Sequence, residues 1–146
     1  MATENTPLSE ITPEQFAQLV KGASEAEIKD VVRSSGTGPV LTRVFEGMQQ
    51  RFRADQARGV TAKVQFVIED EGPHEYFVDF NDGSCRTGAG TIDEPRVTLR
   101  LGLVPFLRLI SGQAQGPQLF MTGQLKIAGD LMFAPRIMNF FDVPRA

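Results

Sequence analysis

The chain's one histidine, His74, stands in Asp70-Glu-Gly-Pro-His-Glu75, among three carboxylates. A general base or a metal ligand needs partners that converge on it. Here the neighbours flank Gly72-Pro73, a turn sequence, and read as a solvated hairpin tip. Cys85 has no second thiol to pair with and no adjacent histidine to activate it, so it reads as a packed thiol on a strand. Gly36-Thr-Gly38 and Gly112-Gln-Ala-Gln-Gly116 lack the Gly-Lys-Ser/Thr or Gly-x-x-Gly continuation that grips phosphate, and read as turns. Nucleophile, base and orienting group never occur together. The expectation is a protein that is not an enzyme and carries no metal and no cofactor.

Composition narrows the remaining classes. Fifteen Lys and Arg against eighteen Asp and Glu give a net charge of −3, with no basic cluster to follow a phosphate backbone, so nucleic acid is not an expected partner. The first ten residues have neither a basic start nor an apolar run. The most apolar stretch, Leu99 to Ile110, is interrupted by Arg100, Gly102, Pro105 and Arg108. Neither a signal peptide nor a membrane span is expected. The closing Val-Pro-Arg-Ala does not match the peroxisomal Ser-Lys-Leu address, and a cytoplasmic location is expected. At 146 residues and 41% apolar, the chain is long enough for one core.

The elements that would position any site are legible from period and punctuation. Thr12-Pro-Glu-Gln15 has capping-box form, with Ile11 placed to staple onto Phe16, and predicts a short helix over about 13–21. Ser24-Glu-Ala-Glu27 repeats the pattern before Ile28, Val31 and Val32. After the breaker 36–39, Val40, Leu41, Val44, Phe45, Met48 and Phe52 mark one face of a third helix. The period then changes to two. Ala62, Val64, Phe66 and Ile68 predict one strand; Tyr76, Val78 and Phe80 a second; residues 84–88 a third, joined through the Asp82-Gly83 turn; Val97, Leu99 and Leu101 a fourth. Pro105 to Ile110 reads as a crossover helix and Gln118 to Met121 as a further turn of helix. Leu125 and Ile127 share a face of a fifth strand, whose Lys126 points to water.

Asp130 is placed to cap a final helix in which Leu131, Met132, Phe133, Ile137, Met138, Phe140 and Phe141 leave almost no polar side. One sheet surface cannot cover them all. Pro135 lacks the N–H that would bond back to Leu131, so a bend is expected there. The segment reads either as the completion of the core or as an adjustable cover over an apolar guest.

Three segments taken together resemble the sterol carrier protein type 2 family. They are Pro95-Arg-Val-Thr-Leu-Arg-Leu101, Phe106 to Gly112, and Phe120-Met-Thr-Gly-Gln-Leu-Lys-Ile-Ala-Gly-Asp130. The last is similar to that family's Phe-Phe-x-Gly-Lys-Leu-Lys-Ile-x-Gly-Asp signature, from which Met121 and Gln124 depart. The resemblance covers about residues 40 to 142. It implies an α+β fold: a mixed five-stranded sheet with helices packed on one face, enclosing an apolar tunnel. Residues 1–36 would be a helical extension and 37–146 the lipid-binding domain.

The resemblance also implies non-catalytic binding, transfer or presentation of a fatty acid, acyl-CoA, sterol or phospholipid. The expected contacts are Phe45, Met48, Phe66, Leu99, Leu101, Phe106 and Ile110 from the first part of the domain. Phe120, Met121, Phe133, Ile137, Met138 and Phe141 complete them. Read from the residues alone, Arg96, Arg100, Arg108 and Arg136 have the charge to meet a head group, but a solvated surface cation is the favoured reading of each. A dry, rigid, empty tunnel of roughly 400 Å³ would cost on the order of 10 kcal/mol, so the space is expected to collapse, to admit water or to hold a lipid. The alternative is an interaction module that forms a homodimer or supports a partner enzyme of lipid metabolism without binding lipid.

Overall fold

The computed structural model describes residues 13–141. The period-two segments form β1 Thr61–Glu69, β2 Pro73–Asn81, β3 Cys85–Ala89, β4 Val97–Gly102 and β5 Leu125–Gly129. They make a five-stranded sheet in the order β3-β2-β1-β4-β5. Only β1 and β4 run parallel, so the sheet is mixed, as expected. Asp82 and Gly83 take φ of 39° and 86°, and Asn81 and Ser84 exchange backbone hydrogen bonds across them, closing the β2–β3 hairpin in two residues.

The helices are α1 Pro13–Gly22, α2 Glu25–Ser35, α3 Thr37–Gln50, α4 Leu103–Ile110 and α5 Gly116–Met121. At the start of α2 the Glu27 N–H donates to Ser24 Oγ, and the Ser24 N–H donates to Glu27 Oε1, completing the predicted capping box. The Thr12 box and the Ile11 staple lie outside the described residues. Helix α3 begins at Thr37, before the expected Val40, because Pro39 sits in its first turn, where no N–H is needed. Val20, Ile28 and Val32 of α1 and α2 join the same core as the sheet. No described helix is long and apolar enough to cross a membrane.

Register places the sheet's inner side chains in transverse rows, since paired residues share a face. One row runs Tyr76, Phe66, Leu99, Ile127; the next runs His74, Ile68, Leu101, Leu125. On the other face Gln65 is buried. Its Nε2 donates to the carbonyls of Tyr76 and Gly90, and its Oε1 accepts from Ile92 N–H, so the side chain ties down the β3–β4 connection. At the hairpin tip Glu71, Gly72, Pro73 and Glu75 are exposed, as expected, but Asp70 is tied down. Burial raises the Asp70 carboxyl, but hydrogen bonds from Arg33 and Thr37 outweigh it and hold the group below its usual range. Asp70 thereby anchors α2 and α3 to the β1–β2 turn. His74 Nε2 lies 3.2 Å from the Asp70 carbonyl.

The C-terminal segment differs from the expected α-helix. Asp130 Oδ1 accepts from the Met132 and Phe133 N–H groups and caps a turn, not a helix. Residues Ala134–Phe140 then form a 3₁₀ helix. Three residues per turn align Ala134, Ile137 and Phe140, and the latter two are buried, while Pro135, Arg136 and Asn139 face out. That winding gathers apolar side chains onto one side, which an α-helical turn would have spread. Phe140 and Phe141 pack on Phe80, and Phe52 bridges to Phe141. Much of the stretch thus completes the core.

Candidate functional site

The row Tyr76–Phe66–Leu99–Ile127 is covered unequally. At the Tyr76–Phe66 end, α3 supplies Phe45, whose ring stacks on Tyr76 at 4.7 Å and on Phe106 of α4 at 5.4 Å and meets Phe66 edge-on at 5.3 Å. At the Leu99–Ile127 end no ring fills the space. A cavity of about 850 Å³ opens there, within the roughly 300–1,000 Å³ usual for small-molecule sites. Leu99, Leu125 and Ile127 form its floor. Leu109 and the turn Ser111 to Pro117 form one wall, and Leu131, Ala134, Pro135, Ile137 and Phe141 the other.

Local structure explains the walls. The Gln113 and Ala114 N–H groups both donate to the Arg108 carbonyl, and Gly112 takes φ 79°, so the chain folds tightly off the end of α4. Ser111 Oγ donates to the Leu107 carbonyl and is fully buried. Phe120 and Met121 close α5 at the rim. Phe120 is 46% exposed, Met121 85%, Leu131 53% and Met132 85%. Among the described residues these are the large apolar side chains left in solvent.

The expected contact residues therefore separate. Leu99, Phe120, Met121, Ile137 and Phe141 line the cavity. Phe45, Phe66 and Phe106 form the aromatic core beside it, and Met48, Leu101 and Phe133 are also buried away from the lining. Ile110 packs partly buried against the core. The Met138 side chain lies outside what the structure describes. Leu109, Leu125, Leu131 and the 111–117 turn line the cavity without having been anticipated, and so does Ile127, although its shared face with Leu125 had pointed to it.

The four arginines weighed as head-group contacts are engaged elsewhere or lie off the cavity. Arg96 pairs with Asp130 at 2.8 Å and lies over the Phe133 ring; Arg100 pairs with Glu69 at 2.8 Å; Arg136 stands over Phe133 and Phe140. None of these three, nor Arg108, lines the cavity. Lys21 of α1 and Arg53 do. Gln113, Gln115 and Asn139 add polar surface, so water can enter and the penalty for a dry closed void does not apply.

The reactive side chains stand apart from this site. Burial, with a smaller push from Asp79, raises the Cys85 thiol to about 12, and neither Cys85 nor His74 is in the lining. The described residues hold no cluster of His, Cys, Asp and Glu suited to a metal ion. What the arrangement offers is a compartment floored by apolar side chains, whose lining also includes Lys21, Arg53 and the amides of Gln113, Gln115 and Asn139.

The SCP-2 sterol transfer family model matches residues 42–142. The chain belongs to that family. The oleate-induced peroxisomal protein POX18 of Candida maltosa is 29% identical over 107 residues, covering 70% of this chain and 84% of its own. Hydroxysteroid dehydrogenase-like protein 2 of Xenopus tropicalis is 25% identical over 134 residues, covering 86% of this chain; the chain spans only 31% of that relative. Among solved structures, sterol carrier protein 2 of Yarrowia lipolytica in its apo form superposes with a TM-score of 0.56 at 25% identity, over 71% of this chain and 88% of that one. The family match begins inside α3. Helices α1 and α2, and with them Lys21, precede it.

Proposed function

We propose that this SCP-2 family chain holds one lipid in the cavity and carries or presents it without altering it. The observation that carries the reading is the unfilled half of the sheet's inner row, where Leu99 and Ile127 face open apolar space beside a tightly packed aromatic core. Leu99, Phe120, Met121, Ile137 and Phe141 would touch the guest directly. Phe45, Met48, Phe66, Leu101, Phe106, Ile110 and Phe133 would set the walls behind them. Residues 37–146 are the lipid-binding unit in this reading, and the preceding helices lend Lys21 to the cavity lining. The names of the relatives, a sterol carrier and an oleate-induced protein, support a fatty acid, acyl-CoA, sterol or phospholipid as guest.

Native mass spectra of the purified protein, beside a lipid extract of the same sample, test this directly. A stoichiometric lipid adduct is the expected result. Ile127→Asp places a carboxylate in the apolar floor at a half-buried position, and should lower affinity for a fluorescent fatty acid at least tenfold. An unchanged affinity in the folded variant would remove the cavity from consideration. The second reading, an interaction module, draws on the hydroxysteroid dehydrogenase-like relative, in which the matched region is a minor part of a longer chain. A stable dimer with no thermal response to added lipids would favour it.

A further inference from the structure

We infer that two copies of this chain pair through the open edge of β5, antiparallel about a twofold axis at Ile127, and so join their sheets. The sheet's two edges differ. At β3 the edge is occupied: Thr87 N–H donates to Gln49 Oε1 of α3, and Thr87 Oγ1 donates to the Phe45 carbonyl. At β5 it is open. Asp130 N–H donates to the Arg96 carbonyl while Val97 stands opposite Gly129. That phase sends the main-chain groups of Lys126 and Ala128 toward β4 and those of Leu125, Ile127 and Gly129 outward. Among the described residues the outward groups have no partner, and Lys126, Ala128 and Gly129 are exposed. Such a row of donors and acceptors is a template for another strand.

The exposed apolar residues select a second copy as that strand's owner. Scattered singly they would need no explanation. Here they flank β5 at both ends, with Phe120 and Met121 before it and Leu131 and Met132 after it. Antiparallel pairing lays the start of one β5 beside the end of the other, so the axis brings Phe120 and Met121 of each copy to Leu131 and Met132 of the other. A patch complementary to itself is what an isologous contact requires. The axis stands normal to the joined sheet, which keeps both helical layers on one side. Phe120, Met121 and Leu131 line the cavity on that same side. Ile127, half-buried in one copy, meets Ile127 of the other, so the two cavity floors adjoin.

Charge and length fix the register. Centred on Ile127, the pairing engages all of Leu125–Gly129 and sets Lys126 opposite Ala128 of the second copy. Centred on Lys126, it would set two lysines directly opposite, which is destabilising. Centred on Ala128, it would leave Leu125 unpaired and need strand beyond Gly129, where φ of 102° turns the chain away. Lys126 and Ala128 lie outside the cavity lining, so their substitution tests the contact without touching the guest's site.

Sedimentation velocity of the full chain over a dilution series, in lipid-free buffer, should show a monomer–dimer equilibrium. Ala128→Lys should raise the dissociation constant roughly fivefold and Ala128→Glu should lower it roughly threefold. Lys126→Glu combined with Ala128→Lys again opposes unlike charges across the axis, and should reverse the weakening. Met132→Glu, at a side chain 85% exposed, should raise the constant on the order of tenfold. Circular dichroism melts establish that each variant folds. A chain that stays monomeric at every concentration would overturn the proposal. So would a dimer indifferent to Ala128→Lys or to Met132→Glu, which would place the contact on another surface. Fatty-acid affinity should be the same in all these variants, and the carrier reading fails separately, through absence of fatty-acid binding.

Discussion

Phe45→Leu separates core from cavity. The ring is 1% exposed and contacts Tyr76, Phe106 and Phe66 at centroid distances of 4.7, 5.4 and 5.3 Å. Each such ring pair contributes about 0.5–1.5 kcal/mol beyond its buried area. Leucine refills part of the volume, so the net loss should be about 2–3 kcal/mol, below the roughly 3–5 kcal/mol of a Phe→Ala truncation. For a domain of this length, one kcal/mol moves Tm by about 2–4 °C, which predicts a fall of roughly 5–10 °C. Total stability of about 5–15 kcal/mol leaves the variant folded at room temperature. Thermal denaturation by circular dichroism measures the first quantity, and displacement of a fluorescent fatty acid the second. Affinity should not change, because Phe45 is outside the cavity lining. A folded variant that binds more weakly would refute this division and put the guest against the aromatic cluster. A Tm that stays in place would refute the packing argument.

Asp130→Ala should show its cost mainly above acidic pH. The Arg96 hydrogen bond holds the Asp130 carboxyl below its usual range; burial opposes this, and the Phe133 and Met132 N–H groups reinforce it. A depressed carboxyl contributes stability that is present above its unfolded pKa, near about 4, and is lost as pH falls through the folded value. The Tm difference between the two proteins should therefore be largest at neutral pH and close below about pH 4. Cys85 should resist iodoacetamide at mildly alkaline pH in the native protein, because burial keeps the thiolate scarce, and should react promptly in denaturant. Prompt native alkylation would show that the β3 edge opens.

The sheet was legible in the sequence because β1, β2, β4 and β5 carry period-two alternation bounded by turn residues, and the Asp82-Gly83 turn implies β3, whose own residues do not alternate. The inner row Phe66, Leu99, Ile127 follows once register is known, but pairing between distant strands is not written in any one of them. That is why Phe45 and Leu99 looked equivalent as apolar positions, although the first is stacked between rings and the second lies on an open floor. The C-terminal winding was missed for a related reason. The residues are apolar at almost every step, and an α-helical period could not sort them; a period of three does. Lys21 gave no signal, since nothing local to α1 says that its last turn reaches a cavity floored by β4 and β5.

The segment that carries the family likeness builds a corner. Gly129 takes φ 102°, and a Cβ there would stand 2.5 Å from the Arg96 carbonyl oxygen, so the position excludes any side chain. The next N–H, that of Asp130, donates to the same carbonyl, while Arg96 Nε returns a hydrogen bond to Asp130 Oδ2 at 2.8 Å. The Arg96 guanidinium also lies 4.3 Å from the Phe133 ring centroid. Gly129 and Asp130 thus turn the chain off edge strand β5 and onto the cavity wall, with Arg96 holding both sides of the bend. The two departures from the signature leave this corner intact. Gln124 is exposed and donates from Nε2 to Thr122 Oγ1, and Met121 stands in solvent at the rim. The motif therefore specifies where the cavity forms.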